Sequence, residues 1–157
     1  MVDIVDKQTR SRMMAGIRGK NTKPELILRR ELHKDGFRYR IHDLELPGKP
    51  DLVFPMYKAL IFIHGCFWHR HPDCWWNKAP SSNTEFWESK LGQNVERDAR
   101  NLEELRSRGW RIAIVWECSF RLFEVAYVAA KVQDWLRSEE PTLTLPLAIR
   151  RRSTKTR

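Results

Sequence analysis

The part of the chain that decides the fold reads Pro50-Asp51-Leu52-Val53-Phe54-Pro55-Met56-Tyr57-Lys58-Ala59-Leu60-Ile61-Phe62-Ile63-His64. Two apolar runs flank a short segment that contains a proline, which is typical of a β-hairpin. Because both runs are almost continuously apolar, the hairpin is predicted to be buried within a sheet. If the turn centres near Tyr57, Asp51 lies opposite Phe62 or Ile63. The Asp51 carboxylate is therefore expected at the end of the hairpin where His64 begins the next segment.

The segment that follows the hairpin is rich in side chains that bind metals. Within eleven residues it carries five of them: His64, Cys66, His69, His71 and Cys74. The short loop spacings of Cys66, His71 and Cys74 are typical of a tetrahedral zinc site, and Cys118 can supply a fourth ligand from the end of a predicted strand. Such a site would fix a loop that has few apolar residues to bury.

Other assignments of these ligands remain open on spacing alone. His64 or His69 could replace His71 as the imidazole ligand. Cys66 and Cys118 could instead be ordinary buried thiols and His71 a surface histidine. For Cys118 alone that reading would prevail, but the three clustered ligands together favour a metal.

Composition limits the class of protein. A chain of 157 residues suits one globular domain, and a hydrophobic content of 41% is enough to build a core. No apolar run of about 18 residues is present, so no membrane span is predicted. The first residues lack the apolar core of a secretion signal, so the expected compartment is the cytoplasm, in association with the nucleoid.

The charge points to a polyanionic partner. Lysine and arginine number 29 against 20 acidic residues, which gives a net charge of +9 and a pI near 9.8. Nucleic acid is the favoured partner over a surface charge that serves solubility alone. Three cysteines cannot all pair with one another, so in a cytosolic chain they are predicted to be free thiols or metal ligands.

The remaining sequence predicts helices and strands around the hairpin. Helices are expected over residues 22–35, 84–108 and 123–137, and further strands over 37–42 and 110–116. We predict three regions: a basic N-terminal arm over 1–20, a single folded domain over 21–138 and a flexible basic tail over 139–157. The predicted fold is α/β, with a central mixed sheet flanked by helices and a loop stapled by zinc.

The step from Pro50 to Asp51 at the start of a hairpin strand resembles the core of PD-(D/E)xK nucleases. That resemblance implies a restriction-endonuclease-like fold in which an aspartate and a group on the second strand hold Mg²⁺. Oxygen ligands of this kind suit Mg²⁺. The second strand here offers Phe62-Ile63-His64 where the motif has Glu-x-Lys.

Four segments resemble one family, the very-short-patch mismatch repair (Vsr) endonucleases. They are Pro47 to Asp51, the string His64-Gly65-Cys66-Phe67-Trp68-His69, Asn94 to Asp98, and Gly109 to Cys118. The resemblance runs from about residue 6 to residue 137. It implies a bacterial, monomeric enzyme that nicks double-stranded DNA 5′ to the thymine of a T·G mismatch, as arises when 5-methylcytosine deaminates. It also suggests help from mismatch-repair proteins.

The resemblance implies roles for individual residues at the reaction centre. Asp51 and the main-chain carbonyl of Ile63 would hold the catalytic Mg²⁺, and Glu25 would contact that site through water. His64 and His69 would act at the phosphate, and the general base is assigned to His69, since histidine accepts protons near neutral pH.

The resemblance also implies a structural Zn²⁺ and a mismatch-sensing group. The zinc ligands carried over are Cys66, His71, Cys74 and Cys118. Aromatic side chains that intercalate beside the mismatch are carried over to Phe67, Trp68 and Trp87. Wedges of this kind unstack base steps.

Simpler structural roles compete with each of these assignments. Glu25 fits a helix-capping box after Thr22, and Asp51 could cap the turn. His64 could be a histidine packed at the end of its strand, and His69 could be an exposed loop residue. Trp87 also fits the apolar seam of its helix. We interpret His33 and His42 as surface or packing residues. A solvated helix face is predicted for Asn94, Glu96, Arg97 and Asp98, with Arg97 as a candidate phosphate contact.

Three functions therefore compete. The leading hypothesis is a Mg²⁺-dependent mismatch endonuclease with a structural zinc. A restriction-type endonuclease on matched duplex would need a dimer for double-strand cuts, and no dimerisation segment is evident. A non-catalytic, zinc-stabilised nucleic-acid-binding domain would have no need of Asp51 beside His64 and His69.

Overall fold

The computed structural model describes residues 21–78 and 80–147. The predicted basic arm over 1–20 and the end of the predicted tail, 148–157, lie outside the described residues. Within the described part, no helix is both long and apolar enough to cross a membrane.

Five strands and four α-helices make up this part of the chain. The helices are α1 (Lys23–Lys34), α2 (Thr84–Ser107), α3 (Ser119–Leu122) and α4 (Val125–Arg137), and a 3-10 helix spans Pro55–Tyr57. The strands are β1 (Arg40–Ile41), β2 (Leu52–Phe54), β3 (Ala59–His64), β4 (Arg111–Trp116) and β5 (Thr142–Leu145).

The strands form one sheet in the order β1-β2-β3-β4-β5. The pairs β1–β2 and β2–β3 are antiparallel, whereas the pairs β3–β4 and β4–β5 are parallel. The parallel pairings are crossovers through α2 and α4, because parallel neighbours need a connecting helix or a long loop. The predicted mixed α/β fold is confirmed.

The hairpin of β2 and β3 has the predicted register to within one residue. Leu52 pairs with Ile61, and one further step brings Asp51 opposite Phe62. The Asp51 N–H donates to the Ile61 carbonyl at 3.1 Å, and the Asp51 carboxylate accepts from the Ile63 N–H at 2.7 Å. Lys58 closes the turn with a left-handed backbone, at φ 50°.

Both faces of the sheet are covered. The larger cluster joins α1 and α4 to the sheet through residues such as Leu28, Leu32, Val128, Val132 and Trp135. The smaller cluster packs Leu105 of α2 against the other strand faces: Val53, Leu60, Phe62 and Ile112. This burial on both sides explains why the two hairpin strands are apolar at successive positions.

The predicted strand over 37–42 is too long. Only Arg40–Ile41 pairs with β2. Phe37 is instead buried in the core, and the Tyr39 hydroxyl donates to the Arg29 carbonyl at 3.0 Å. His42 ends the strand because its backbone is left-handed, at φ 50°.

The prediction of a flexible segment from residue 139 onward is wrong for Thr142–Leu145, which form β5 beside β4. Leu145 is buried. The Arg111 guanidinium also orders this region, because it donates to the carbonyls of Trp135, Leu136 and Glu140 at 3.1, 2.9 and 3.2 Å. These contacts come from a strand about thirty positions earlier, so the local composition of the segment could not reveal them.

Candidate active site and metal centre

A cavity of about 450 Å³ lies at the end of the β2–β3 hairpin and is bounded on one side by α2. Its walls include Asp51, Ile63, His64, His69, Arg97 and Asp98. Asp51, Ile63 and His64 reach it because strands β2 and β3 are paired, and His69 reaches it from the following loop. The prediction that Asp51 and the start of the histidine-rich segment meet at this end is confirmed.

Asp51 is held by one strong contact inside this cavity. The Ile63 N–H donates to Asp51 Oδ2 at 2.7 Å, so Oδ1 can still be offered to a cation. Burial raises the pKa of Asp51 from 3.8 to about 6, and the charge of Glu25 adds to that rise, while the Ile63 N–H opposes it. A carboxylate in this state is stabilised by a bound cation.

The rings of His64 and His69 stack at 3.8 Å, tilted by only 6°. Burial, and then the charge of His69, lowers the pKa of His64 to about 3, so His64 is neutral at pH 7. Its Nδ1 is buried without a hydrogen-bond partner among the described residues. An unsatisfied buried nitrogen of this kind is costly unless another group binds it.

His69 is oriented by Asp98 of α2. The distance from His69 Nδ1 to Asp98 Oδ2 is 2.5 Å. Because an ionised carboxylate only accepts hydrogen bonds, Nδ1 carries the hydrogen. In the neutral ring Nε2 is then unprotonated and can accept a proton.

One donor atom from each of His64, His69 and Asp98 lies within 4.8 Å of the others. Two imidazoles and a carboxylate could hold a transition metal. Mg²⁺, by contrast, prefers oxygen ligands. The hydrogen bond between His69 and Asp98 therefore fits proton transfer better than magnesium binding, and Asp51 is the better magnesium ligand.

Glu25 does not form the predicted capping box. Its side chain is only 1% exposed, and Oε1 lies 2.6 Å from His42 Nε2 and 3.6 Å from the Arg29 guanidinium. The Thr22 side chain makes no capping hydrogen bond. His42, interpreted from the sequence as a surface or packing residue, packs against buried Glu25 and also lines the cavity. No spacing pattern in the sequence links positions 25 and 42.

A solvated helix face was predicted for Asn94, Glu96, Arg97 and Asp98. That prediction is wrong for Asn94, and Asp98 is only partly exposed. Asn94 is buried, and its amide donates to the Trp68 carbonyl at 3.2 Å. Arg97 donates to the Asn94 side-chain oxygen at 3.1 Å and lines the cavity. Glu96 is exposed as expected. The spacing of Asn94 and Asp98 by four positions places them on one helix face, which was the available signal.

Cys66, His71, Cys74 and Cys118 converge into one buried cluster. One donor atom from each lies within 4.8 Å of the others, and His71 Nδ1 is 3.4 Å from the Cys118 sulfur. The His71 ring stacks on Trp116 at 4.1 Å. The structure thus gathers all four predicted ligands, with His71 and not His64 or His69 as the imidazole.

The chemistry of this cluster suits zinc. A hydrogen bond from the Cys118 thiol lowers the pKa of Cys66 to about 5. The same hydrogen bond, together with burial, raises the pKa of Cys118. Burial also raises the pKa of Cys74. Only one thiolate is therefore stable without further positive charge. Three thiolates and one imidazole would be satisfied together by a tetrahedral Zn²⁺.

The aromatic residues predicted to intercalate lie together. Phe67, Trp68 and Trp87 contact one another edge to face, with ring centres 5.0 to 5.9 Å apart. Phe86 extends the group, 5.2 Å from Trp87, and is 60% exposed. Phe86 was not singled out from the sequence, although it adjoins Trp87 at the start of α2. We call these four residues the aromatic cluster.

Comparisons with known proteins agree with this geometry. Residues 2–76 match the family described as DNA mismatch endonuclease Vsr. The chain is 42% identical to the type II nicking enzyme V.XorIIP of Xanthomonas oryzae pv. oryzae, over 87% of this chain and 98% of that protein. It is 46% identical to the type II nicking enzyme V.NmeAIP of Neisseria meningitidis, over 77% of this chain and 86% of that protein.

A third relative is the DNA mismatch endonuclease Vsr of Escherichia coli K12, which is 43% identical over 142 residues. The match covers 88% of this chain and 90% of that enzyme, so it includes the hairpin, the histidine-rich loop and α2. From this extent of similarity, the chain belongs to the Vsr family of DNA endonucleases.

Proposed function

We propose that this endonuclease nicks one strand of double-stranded DNA 5′ to the thymine of a T·G mismatch, in a reaction that requires Mg²⁺. The observation that supports it best is one cavity that contains both Asp51 and the hydrogen-bonded pair of His69 and Asp98. A cation ligand and a proton acceptor in the same cavity are the two components that phosphodiester hydrolysis needs.

Asp51 and the Ile63 carbonyl would hold the cation. The raised pKa of Asp51 supports this role, because a buried carboxylate gains most from a cation. Bound there, Mg²⁺ would supply positive charge beside the scissile phosphate and would make a coordinated water more acidic. Glu25 is the second acid near this position, as its effect on the pKa of Asp51 indicates.

In this proposal His69 is the general base. Its Nε2 takes a proton from the attacking water, and the water oxygen bonds to phosphorus as the bond from phosphorus to the 3′ oxygen breaks. The departing 3′ oxygen takes up a proton from solvent and leaves as a hydroxyl. Asp98 holds Nδ1–H and stabilises the charged ring that results. Neutral His64 stacks on His69 and limits its rotation, and it contacts the phosphate.

The structural Zn²⁺ would be held by Cys66, His71, Cys74 and Cys118. His69 lies between two of these ligands in the chain, and its N–H donates to the Gly65 carbonyl at 3.1 Å. We propose that zinc fixes the loop backbone and so the position of the His69 ring. The metal would thus support catalysis without touching the substrate.

The aromatic cluster would act as the mismatch sensor. Its rings lie on the loop and on the first turn of α2, and the Trp68 backbone is tied to α2 by Asn94. Inserting a ring between base pairs costs least where stacking is already weak, as at a mismatch. The net charge of +9 supports attraction to the DNA backbone, and we propose that the enzyme acts as a monomer.

A second candidate is nicking of fully paired DNA at a recognition sequence. Two of the relatives are type II nicking enzymes, which favours this candidate. A binding domain without catalysis is disfavoured, because binding alone gives no reason for a buried Asp51 in the same cavity as the His69–Asp98 pair.

The test uses labelled duplexes that differ in one base pair, T·G or C·G, in a cytosine-methylation context. Wild-type protein with Mg²⁺ is expected to cut the T·G strand once, 5′ to the thymine. Asp51→Asn, checked for folding by circular dichroism, and wild type without Mg²⁺ are expected to be inactive. Equal nicking of the C·G duplex would support the second candidate, and binding without nicking would contradict both.

A further inference from the structure

Glu25 and His42 form a pair beside the cavity that holds Asp51. Glu25 is almost completely buried, whereas His42 is part of the cavity wall. A buried carboxylate needs compensating partners, because its burial as a free ion is costly. The arrangement of those partners indicates what the pair does.

Both partners bind the same oxygen of Glu25. His42 Nε2 lies 2.6 Å from Oε1, and because a carboxylate only accepts, this nitrogen is the donor. The Arg29 guanidinium is 3.6 Å from the same Oε1 and is itself fixed by the Asn21 side-chain oxygen at 2.7 Å. Neither of these contacts involves the second carboxylate oxygen, Oε2.

His42 also links Glu25 to Asp51 through the backbone. The His42 N–H donates to the Asp51 carbonyl at 3.5 Å, a long bond that extends the pairing of β1 with β2. The left-handed backbone of His42 directs the chain away after this bond. Helix α1, which carries Glu25, and strand β2, which leads from Asp51, are thereby connected by one residue.

We infer that His42 is a positioning residue for the cation of the proposed function: it fixes Glu25 through Oε1, so that Oε2 can accept a hydrogen bond from water on a cation held at Asp51. This inference rests on the proposed function for the identity of the cation site. Partners that orient a metal site from outside its ligands commonly change metal affinity 10- to 100-fold when removed.

The test measures binding of Mn²⁺, as a spectroscopic probe in place of Mg²⁺, to the zinc-loaded protein by electron paramagnetic resonance. His42→Ala is expected to weaken Mn²⁺ binding about tenfold. His42→Gln, whose amide can donate to Glu25, is expected to recover most of that loss. His33→Ala, an exposed histidine on α1, is the matched control and is expected to bind Mn²⁺ as wild type does.

A double-mutant cycle separates positioning from general stability. If His42 acts through Glu25, His42→Ala is expected to cause no further loss of Mn²⁺ affinity in a Glu25→Gln background. Additive losses, or unchanged affinity in His42→Ala, would overturn the inference. Thermal unfolding of each variant identifies any that fail to fold, and in that event the His42→Gln comparison decides.

Nicking assays keep this inference distinct from the proposed function. If wild type nicks the T·G duplex while His42→Ala binds Mn²⁺ normally, the inference about His42 is wrong and the proposed function stands. If wild type binds Mn²⁺ with the expected coupling but nicks no duplex, the proposed function is wrong and the role of His42 stands. Absence of Mn²⁺ binding by wild type would overturn the inference.

Discussion

Asp98 on α2 accepts a hydrogen bond from His69 at 2.5 Å, although 29 positions separate the two residues in the chain. The bond joins the histidine-rich loop to the fourth turn of a helix that also contacts the sheet. It fixes both the tautomer and the orientation of His69. If His69 is the general base, removing the charge of its partner impairs the reaction without removing the base itself.

We therefore predict that Asp98→Asn lowers the single-turnover nicking rate about 100-fold or more, since the wrong tautomer of the base becomes accessible and the charged ring loses its partner. Affinity for the T·G duplex, measured by fluorescence anisotropy, is expected to stay within about twofold. Glu96→Gln, on the same helix and exposed, is the control for loss of one negative charge. An equal fall in both variants would argue against the orienting role.

If the aromatic cluster senses the mismatch, substitutions in it should reduce discrimination between T·G and C·G duplexes while nicking itself continues. Phe67→Ala or Trp68→Ala is expected to lower the ratio of kcat/KM for T·G over C·G duplex about tenfold or more, because stacking on a base is worth about 1–3 kcal/mol. Trp75→Ala is the control, since Trp75 lies on the same loop and is 70% exposed. Within the described part of the chain its ring does not contact the aromatic cluster. An unchanged ratio would contradict the wedge.

Zinc removal is expected to loosen the loop and destabilise the fold. Elemental analysis should give one zinc per chain, and Cys118→Ser should lose most of it. The free energy of unfolding is expected to fall by roughly 4 kcal/mol, the scale on which losing a structural metal acts. His33→Gln tests loss of an imidazole elsewhere and is expected to keep its zinc. A folded, zinc-free wild type of unchanged stability would refute the structural role.

The sequence carried enough information to predict the hairpin and most of the cysteine–histidine cluster, for physical reasons. Asp51 could be placed near Ile63 because hairpin register follows from the turn. Cys66, His71 and Cys74 could be grouped because their spacing is short, and Cys118 because it ends a predicted strand. His42 and Glu25 could not be paired, since their contact depends on how α1 packs against the sheet. Strand β5 was missed because its order comes from pairing with β4, which no local pattern reports.

The pKa of Asp51 predicts an effect of pH on stability. In the folded chain its pKa is raised from 3.8 to about 6, mainly by burial. Between these two values the folded state binds more protons than the unfolded state, so Asp51 disfavours folding increasingly as the pH rises through this window. Well above pH 6 the penalty has its full size. The difference between the folded and unfolded pKa of Asp51 corresponds to a loss of at most about 3 kcal/mol in the free energy of unfolding.

Asp51→Asn removes this penalty while its side-chain oxygen can still accept from the Ile63 N–H. Without Mg²⁺, the variant is expected to be more stable than wild type at pH 7.5 in urea unfolding, by up to about 3 kcal/mol. The gain is expected to shrink as the pH falls from about 6 toward 3.8. Adding Mg²⁺ is expected to stabilise wild type and not the variant, because ligand binding stabilises only a folded state that binds it.

The matched control for this prediction is Asp43→Asn, at a partly exposed carboxylate near the end of the same sheet. Because this carboxylate is not buried, the variant is expected to be no more stable than wild type at pH 7.5. If Asp51→Asn is less stable than wild type at pH 7.5 without Mg²⁺, the buried Asp51 carboxylate raises the free energy of unfolding and does not lower it. The raised pKa would then be wrong, and with it the argument that Asp51 is buried to bind a cation.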